Sequence, residues 1–322
     1  MLRDRAWNHD DAPDFGLANV LSREINLREQ LNPAFLTNVR RSRELLVACD
    51  FGGSHKGCRY RSYSFLVGAI SDSGEWDELR RAVRIQLLRD DRRMSFKTLG
   101  DRIRAKSLLP FLRAADFFPG VLATFLIDKR LNRIVGEHRS DDSFPELVVA
   151  KRGWKRNSFH KLCLVASLGS LLIRGLSDHT QDIIWVTDQD EIAPNPTKHN
   201  DAGHVIHHHI STYAPHNNGL FVFVTTEVDI DARRIEDAVS IPDLAAGALG
   251  EAFSKIKDNF GQGISRVWTP FPKNLSGKAE LITNWFFDSP HRLSKVAIII
   301  EPRREGGLTA EVVSALTGSG VA

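Results

Sequence analysis

Three apolar runs in this chain each end in an aspartate. Leu45–Cys49 leads into Asp50, Val121–Ile127 into Asp128, and Ile183–Thr187 into Asp188. Short apolar runs bounded by turn residues read as buried strands. Helical spacing lies between them, in Leu79, Val83 and Leu87 and again in Leu162, Val165, Ala166, Gly169, Leu172 and Ile173. Strands alternating with helices fold as an α/β domain with a partly parallel sheet. An acid at the carboxyl end of such a strand stands at the rim where open α/β sheets place ligands. With 42% hydrophobic and 26% charged residues over 322 positions, the chain can bury a core of that kind.

A polar loop, SHKGCRYR, separates the Asp50 run from Tyr63–Ile70, so the first two strands are expected to form an antiparallel hairpin. The sheet is therefore expected to be mixed, with Asp128 and Asp188 at matching ends of its parallel part. Asp77 and Ser158 are candidate helix N-caps. Pro110 is expected to break a helix over Ile103–Leu112. The sequence Ser240-Ile-Pro-Asp243 has capping-box spacing and reads as the opening of a helix. A helix over 200–213 would turn Ile206, Ile210 and Tyr213 one way and His204, His207 and His208 the other. Leu17, Leu21 and Ile25 have helical spacing within an N-terminal extension, 1–40. The main α/β domain is expected over 41–258 and a C-terminal extension, packing on it, over 259–322.

The charge balance is +3, which permits nucleic-acid binding without requiring it. Cys49, Cys58 and Cys163 form no disulfide framework or metal-type spacing, and fit a reducing cytoplasm. The opening MLRDRAWNHDD is too charged for a signal peptide, and Leu162–Ile173 is short for a membrane span. The expectation is a cytoplasmic protein with no membrane partner.

Asp50, Asp128, Asp188 and Asp243 are the candidate chemical residues. Several carboxylates brought to one place repel each other unless a cation offsets them. Mg²⁺ and Mn²⁺ prefer oxygen ligands, and paired ions of this type support phosphodiester cleavage. Each acid also has a local reading, as a turn former or a cap. His204 and His208 have the i, i+4 spacing of paired metal ligands, but Val205 stands where an HExxH motif has Glu, so a polar helix face is the simpler reading. His55 is a candidate substrate or acid–base group. Lys97 and Lys129 are candidate phosphate contacts. Lys151, Arg152 and Trp154 in KRGWKR join charge to a ring able to stack on a base.

The series CDFGG at 49–53, FLVGAI at 65–70, FLIDKR at 125–130, IIWVTDQD at 183–190 and PDLAAGALG at 242–250 resembles a large bacterial family of RNase H-like proteins of unknown function. The resemblance covers about residues 44–256. It implies an RNase H-like mixed sheet flanked by helices, and a nuclease with Mg²⁺ or Mn²⁺ held by Asp50, Asp128, Asp188 and Asp243. Related genes are often met in mobile elements and phage defence, which makes DNA or RNA the expected partner. Phe51 stands where the family usually has Glu, and a glutamate expected near Met94–Lys97 is absent. These departures leave a second reading open: a catalytically weak or inactive module that binds nucleic acid, or a protein partner through its terminal extensions. A metal hydrolase using His204 and His208 is a third.

Overall fold

The computed structural model describes residues 16–31, 35–53, 55–131, 153–188, 192–228, 233–261, 266–268, 274–288, 292–303 and 307–316. Helices α1 (Gly16–Leu31) and α2 (Phe35–Arg41) precede the strands β1 (Glu44–Gly52) and β2 (Tyr60–Ala69). Then come α3 (Gly74–Leu87), α4 (Arg102–Ala115), β3 (Gly120–Asp128), α5 (Arg156–Leu176), β4 (Asp182–Thr187), α6 (Pro196–Tyr213) and β5 (Phe221–Thr225). A long helix, α7 (Arg234–Phe260), is followed by β6 (Arg266–Trp268), α8 (Gly277–Phe287), β7 (Leu293–Pro302), β8 (Leu308–Val312) and β9 (Ser314–Leu316).

Among the described residues the main sheet has seven strands in the order β5-β4-β1-β2-β3-β7-β8. The α/β class expected from the strand–helix alternation is what the chain adopts. β1 and β2 form the antiparallel hairpin that the polar loop after Asp50 suggested, and β3 extends it to an antiparallel meander. β4 lies parallel to β1, β5 parallel to β4, and β7 parallel to β3. β1 and β3 therefore run the same way with β2 between them. β7 and β8 extend this sheet, so the C-terminal part of the chain supplies two of its strands.

The sheet is covered on both faces. Leu45, Val47 and Cys49 point to one side, where they meet α1, α2, α5 and α6. Leu46 and Ala48 point to the other, toward α3, α4, α7 and α8. This is the period-two consequence of a pleated strand buried on both faces. Leu21 and Ile25 of α1 are fully buried, so the amphipathic spacing near the N-terminus reflects packing onto the domain. α5 is apolar and long enough to cross a membrane by composition, but 78% of its most apolar window is buried inside the protein. Gly169 of α5 sits against Trp185, whose ring lies where a Cβ would be.

Four local expectations are corrected. α5 starts at Arg156, so Ser158 lies within the helix. α3 is preceded by Ser73, and Asp77 instead accepts hydrogen bonds from Arg80. α4 continues through Pro110, which costs one backbone bond without ending the helix. Ser240 and Asp243 lie seven and more residues inside α7, with the Ser240 hydroxyl donating to the Glu236 carbonyl. They form no capping box, so the local explanation for Asp243 falls away.

Candidate functional site

Asp50 follows Cys49, and Cys49 pairs with Thr187 across β1 and β4. Asp50 and Asp188 therefore stand side by side at the carboxyl ends of adjacent parallel strands. Both continue the face of Leu46, Ala48 and Val186, which packs under α7. Asp243 is carried by α7, whose backbone at Ala246 passes beside Gly52. Three acids distant in sequence are thus brought to one end of one sheet face.

Arg93 reaches one of them. Its Nη1 donates to Asp188 Oδ2 at 2.5 Å. Burial works against the guanidinium charge, but Asp188, Asp243 and Asp50 outweigh it and hold the pKa above the ordinary arginine value. Asp188 also accepts from the Thr226 hydroxyl at 3.1 Å, and Asp243 Oδ2 from the Phe96 amide at 2.9 Å. Asp50 Oδ1 accepts from the Phe51 amide at 2.6 Å. Arg93, Thr226 and Phe96 were not singled out from the sequence. The basic stretch RRMSFKTLG was the available signal, but only Lys97 was taken from it.

Asp128 does not join this group. Asp50 pairs with Ser64, and Ser64 with Thr124, so the β3 neighbour of Asp50 is Thr124. Asp128 is two strand spacings across, about 10 Å, and four residues further along, about 13 Å. Along α7 the distance from Asp243 to Lys257, the partner of Asp128, is about 21 Å at helical rise. Matching strand ends were legible in the sequence. The overhang of β3 beyond β1 was not.

Asp128 has its own cluster. It accepts from Arg130 and Lys257, and Lys257 also bonds Glu301 at 2.7 Å. The Tyr60 hydroxyl donates to Glu301 at 2.6 Å. Burial pushes the Asp128 carboxyl up, but Arg130 and Lys257 overcome this and hold it at about 2, below the ordinary 3.8. Between these values the unfolded chain binds the proton that the folded protein does not. Asp128 therefore stabilises the fold above about pH 4, and that contribution is lost as pH falls toward about 2. Asp128→Asn is expected to be less stable near neutral pH and to lose less stability over that acid window, read from urea midpoints at each pH.

His55 and Lys129 also lie at this second end. The Lys129 ammonium donates to the His55 carbonyl at 2.6 Å, and His55 Nε2 lies 2.9 Å from Cys58 Sγ. Lys97 is exposed on the turn Phe96–Thr98, in the same segment as Arg93. Lys151 and Arg152 lie outside the described residues. Trp154 is corrected: its ring is buried at 6% exposure, with Nε1 donating to Asp201 at 3.0 Å and Lys198 over its face. It is a packing residue unable to stack on a base. His204, His207 and His208 are exposed on α6, and His207 stacks on Phe221.

Phe51 points away from Asp50. It packs on the opposite face of the sheet, near Tyr63, with the Lys161 ammonium 3.8 Å from its ring centre. A carboxylate at position 51 would face the same way on this strand, so Phe51 removes no ligand from the Asp50 side. Met94 is fully buried in the core under α7.

Among the described residues no three acidic, histidine or cysteine side chains are grouped closely enough to hold a metal ion. Asp50, Asp188 and Asp243 are the right chemistry for Mg²⁺ or Mn²⁺, but Asp188 is already bonded to the Arg93 guanidinium. In this arrangement they do not fit an ion. Gly247 bears on the same geometry, because a Cβ there would lie 2.3 Å from Phe96 Cγ. Gly247→Ala is expected to displace Phe96, weaken its bond to Asp243 and cost about 1–3 kcal/mol, measured as a lowered urea midpoint. A cost under about 0.5 kcal/mol would show that Phe96 yields freely.

Compared with protein-family models, curated proteins and solved structures, the chain has no significant match.

Proposed function

We propose that this protein is an RNase H-like nuclease or phosphodiesterase whose working acids are Asp50, Asp188 and Asp243. One observation carries the reading: Asp50 and Asp188 stand at the carboxyl ends of adjacent parallel strands, under the helix that carries Asp243. The strand order β3-β2-β1-β4-β5, antiparallel and then parallel, is that expected of an RNase H-like sheet and supports the reading. Mg²⁺ or Mn²⁺ is the proposed cofactor. DNA or RNA is the proposed substrate, in a cytoplasmic role in phage defence or a mobile element. Asp128 is left out of the working set and acts in the stability of the β3 end. Lys97, exposed and next in sequence to Phe96, whose amide donates to Asp243, is the proposed phosphate contact.

A specific observation favours a second reading. Arg93 neutralises the centre in place of a metal, as in a module that binds nucleic acid, or a protein through its terminal segments, without cleaving. One experiment separates the two. The protein is incubated with single- and double-stranded DNA and RNA in Mg²⁺, Mn²⁺ or chelator. Cleavage in metal that chelator abolishes is the expected result. Binding without cleavage in every metal condition would favour the module.

A further inference from the structure

We infer that the outer face of α4 is a docking surface for a single-stranded nucleic acid, which it leads toward the sheet end that carries Asp188. The inference rests on the proposed nucleic-acid substrate and adds where the strand lies. α4 carries Arg102, Arg104, Lys106 and Arg113 and no acid. At helical spacing Arg102, Lys106, Leu109 and Arg113 form one stripe, and all four are exposed. Leu108, Phe111, Leu112 and Ala115 take the opposite side and are buried. Neighbouring arginines are bonded to carboxylates, Arg92 to Asp101 and Arg93 to Asp188. Among the described residues no side-chain hydrogen bond or ion pair engages Arg102, Lys106 or Arg113. Their charges face solvent without an internal counter-charge.

The stripe starts at the end where Asp188 stands. Asp101 caps α4 and bonds Arg92 at 2.7 Å, and Arg104 Nε donates to the Arg93 carbonyl at 2.7 Å. Arg93 in turn bonds Asp188, and three residues on the Phe96 amide bonds Asp243. From Arg102 to Arg113 the helix rises about 16 Å, the length of about five stacked nucleotides. A row of cations free of acids complements a phosphate backbone, which gains by releasing its counter-ions there. Apolar side chains lie among these cations: Ile103 is 41% exposed and Leu109 38%. The base faces of a single strand are open to such side chains, whereas a duplex turns its bases inward and offers mainly phosphate and sugar. Charge interleaved with apolar surface therefore fits the single strand.

The test is binding of fluorescein-labelled oligothymidine to the full chain, read by anisotropy in chelator at several salt concentrations. The triple variant Arg102→Gln/Lys106→Gln/Arg113→Gln is expected to bind at least about tenfold more weakly than wild type, with a salt slope shallower by about two. Glutamine keeps helix propensity at these exposed positions, so the fold is retained, and circular dichroism checks it. Arg23→Gln/Arg41→Gln/Arg43→Gln removes the same charge from exposed positions outside α4 and should bind within about twofold of wild type, as a long-range charge effect alone would not allow. Wild type should also bind the single strand more tightly than a duplex of the same length. Equal losses in the two triple variants, a preference for duplex, or binding to phosphatidylserine vesicles with none to oligothymidine would each overturn the inference. Because chelator prevents metal-dependent cleavage, these results stand apart from the nuclease proposal, which fails separately if no phosphodiester is cut.

Discussion

Asp50→Asn is expected to reduce metal-dependent cleavage on the order of 100-fold or more while leaving the fold intact. Asp50 is only partly buried, and its Oδ1 accepts from the adjacent Phe51 amide. Asparagine keeps the shape and removes the charge. Loss of one preorganised charged or donor group at a reacting centre typically costs about 100- to 1,000-fold. Asp128→Asn supplies the contrast. Asp128 looked equivalent as a strand-ending acid, but it lies about 16 Å away by strand geometry and is neutralised by Arg130 and Lys257. That variant should keep cleavage within about threefold, a difference below 1 kcal/mol in barrier height. Assay of both variants on the same substrate, with circular dichroism as a fold check, reads the difference. Equal loss in the two would mean that the centre extends to β3 after all.

Asp237→Ala is expected to destabilise the protein by about 3–5 kcal/mol. Asp237 is completely buried on α7 and is held by Arg80 and Arg84 of α3, both nearly buried. Arg84 Nε donates to Asp237 at 2.7 Å and Arg80 Nη1 at 3.2 Å. Removing the acid leaves two guanidiniums inside the core with one principal anion, Asp77, which sits at the edge of the cluster. Breaking a buried pair costs far more than the pair contributes, because the stranded charge has no water to return to. Asp237 anchors the first turns of α7, the helix that carries Asp243, so a lowered cleavage rate should accompany the lost stability. Urea unfolding of wild type, Asp237→Ala and the triple variant Asp237→Ala/Arg80→Met/Arg84→Met decides the cause. The triple variant is expected to recover a large part of the loss. If the single variant costs less than about 1 kcal/mol, the stranded-charge account is wrong.

The sheet was legible because its strands carry their own marks. VLATFLI and IIWVT are almost wholly apolar, as strands covered on both faces must be, and each is followed by an acid. The β1–β2 hairpin followed from a short polar loop. Register was less accessible, because it depends on how far each strand runs past its neighbour. β3 pairs with β2 out to Asp128 opposite Tyr60, well beyond the level of Asp50, and that overhang divides the four acids into two centres. Side-chain direction was equally hidden. Whether Phe51 faces Asp50 follows from strand pleating, but only once residue 51 is known to lie within the strand. Asp243 was singled out as an acid in the first turn of a helix, and the local cap that could explain it away depended on where α7 begins. That helix starts at Arg234, driven by the burial of Ala238, Val239 and Ile241 and by the Asp237 ion pairs, contacts no local pattern encodes. Arg93 was missed for a related reason. A basic loop reads as solvated until the fold sets a strand-end carboxylate, Asp188, against one of its cations.

The proposed chemical centre is Asp50, Asp188 and Asp243, with Asp128 outside it. Crystals of the wild-type protein soaked in saturating Mn²⁺ and measured near the manganese absorption edge test this most directly. An anomalous peak among Asp50, Asp188 and Asp243, with the Arg93 side chain turned away, is the expected result. A peak beside Asp128 and Glu301, or no peak at the Asp50 end with Arg93 unmoved, would contradict it.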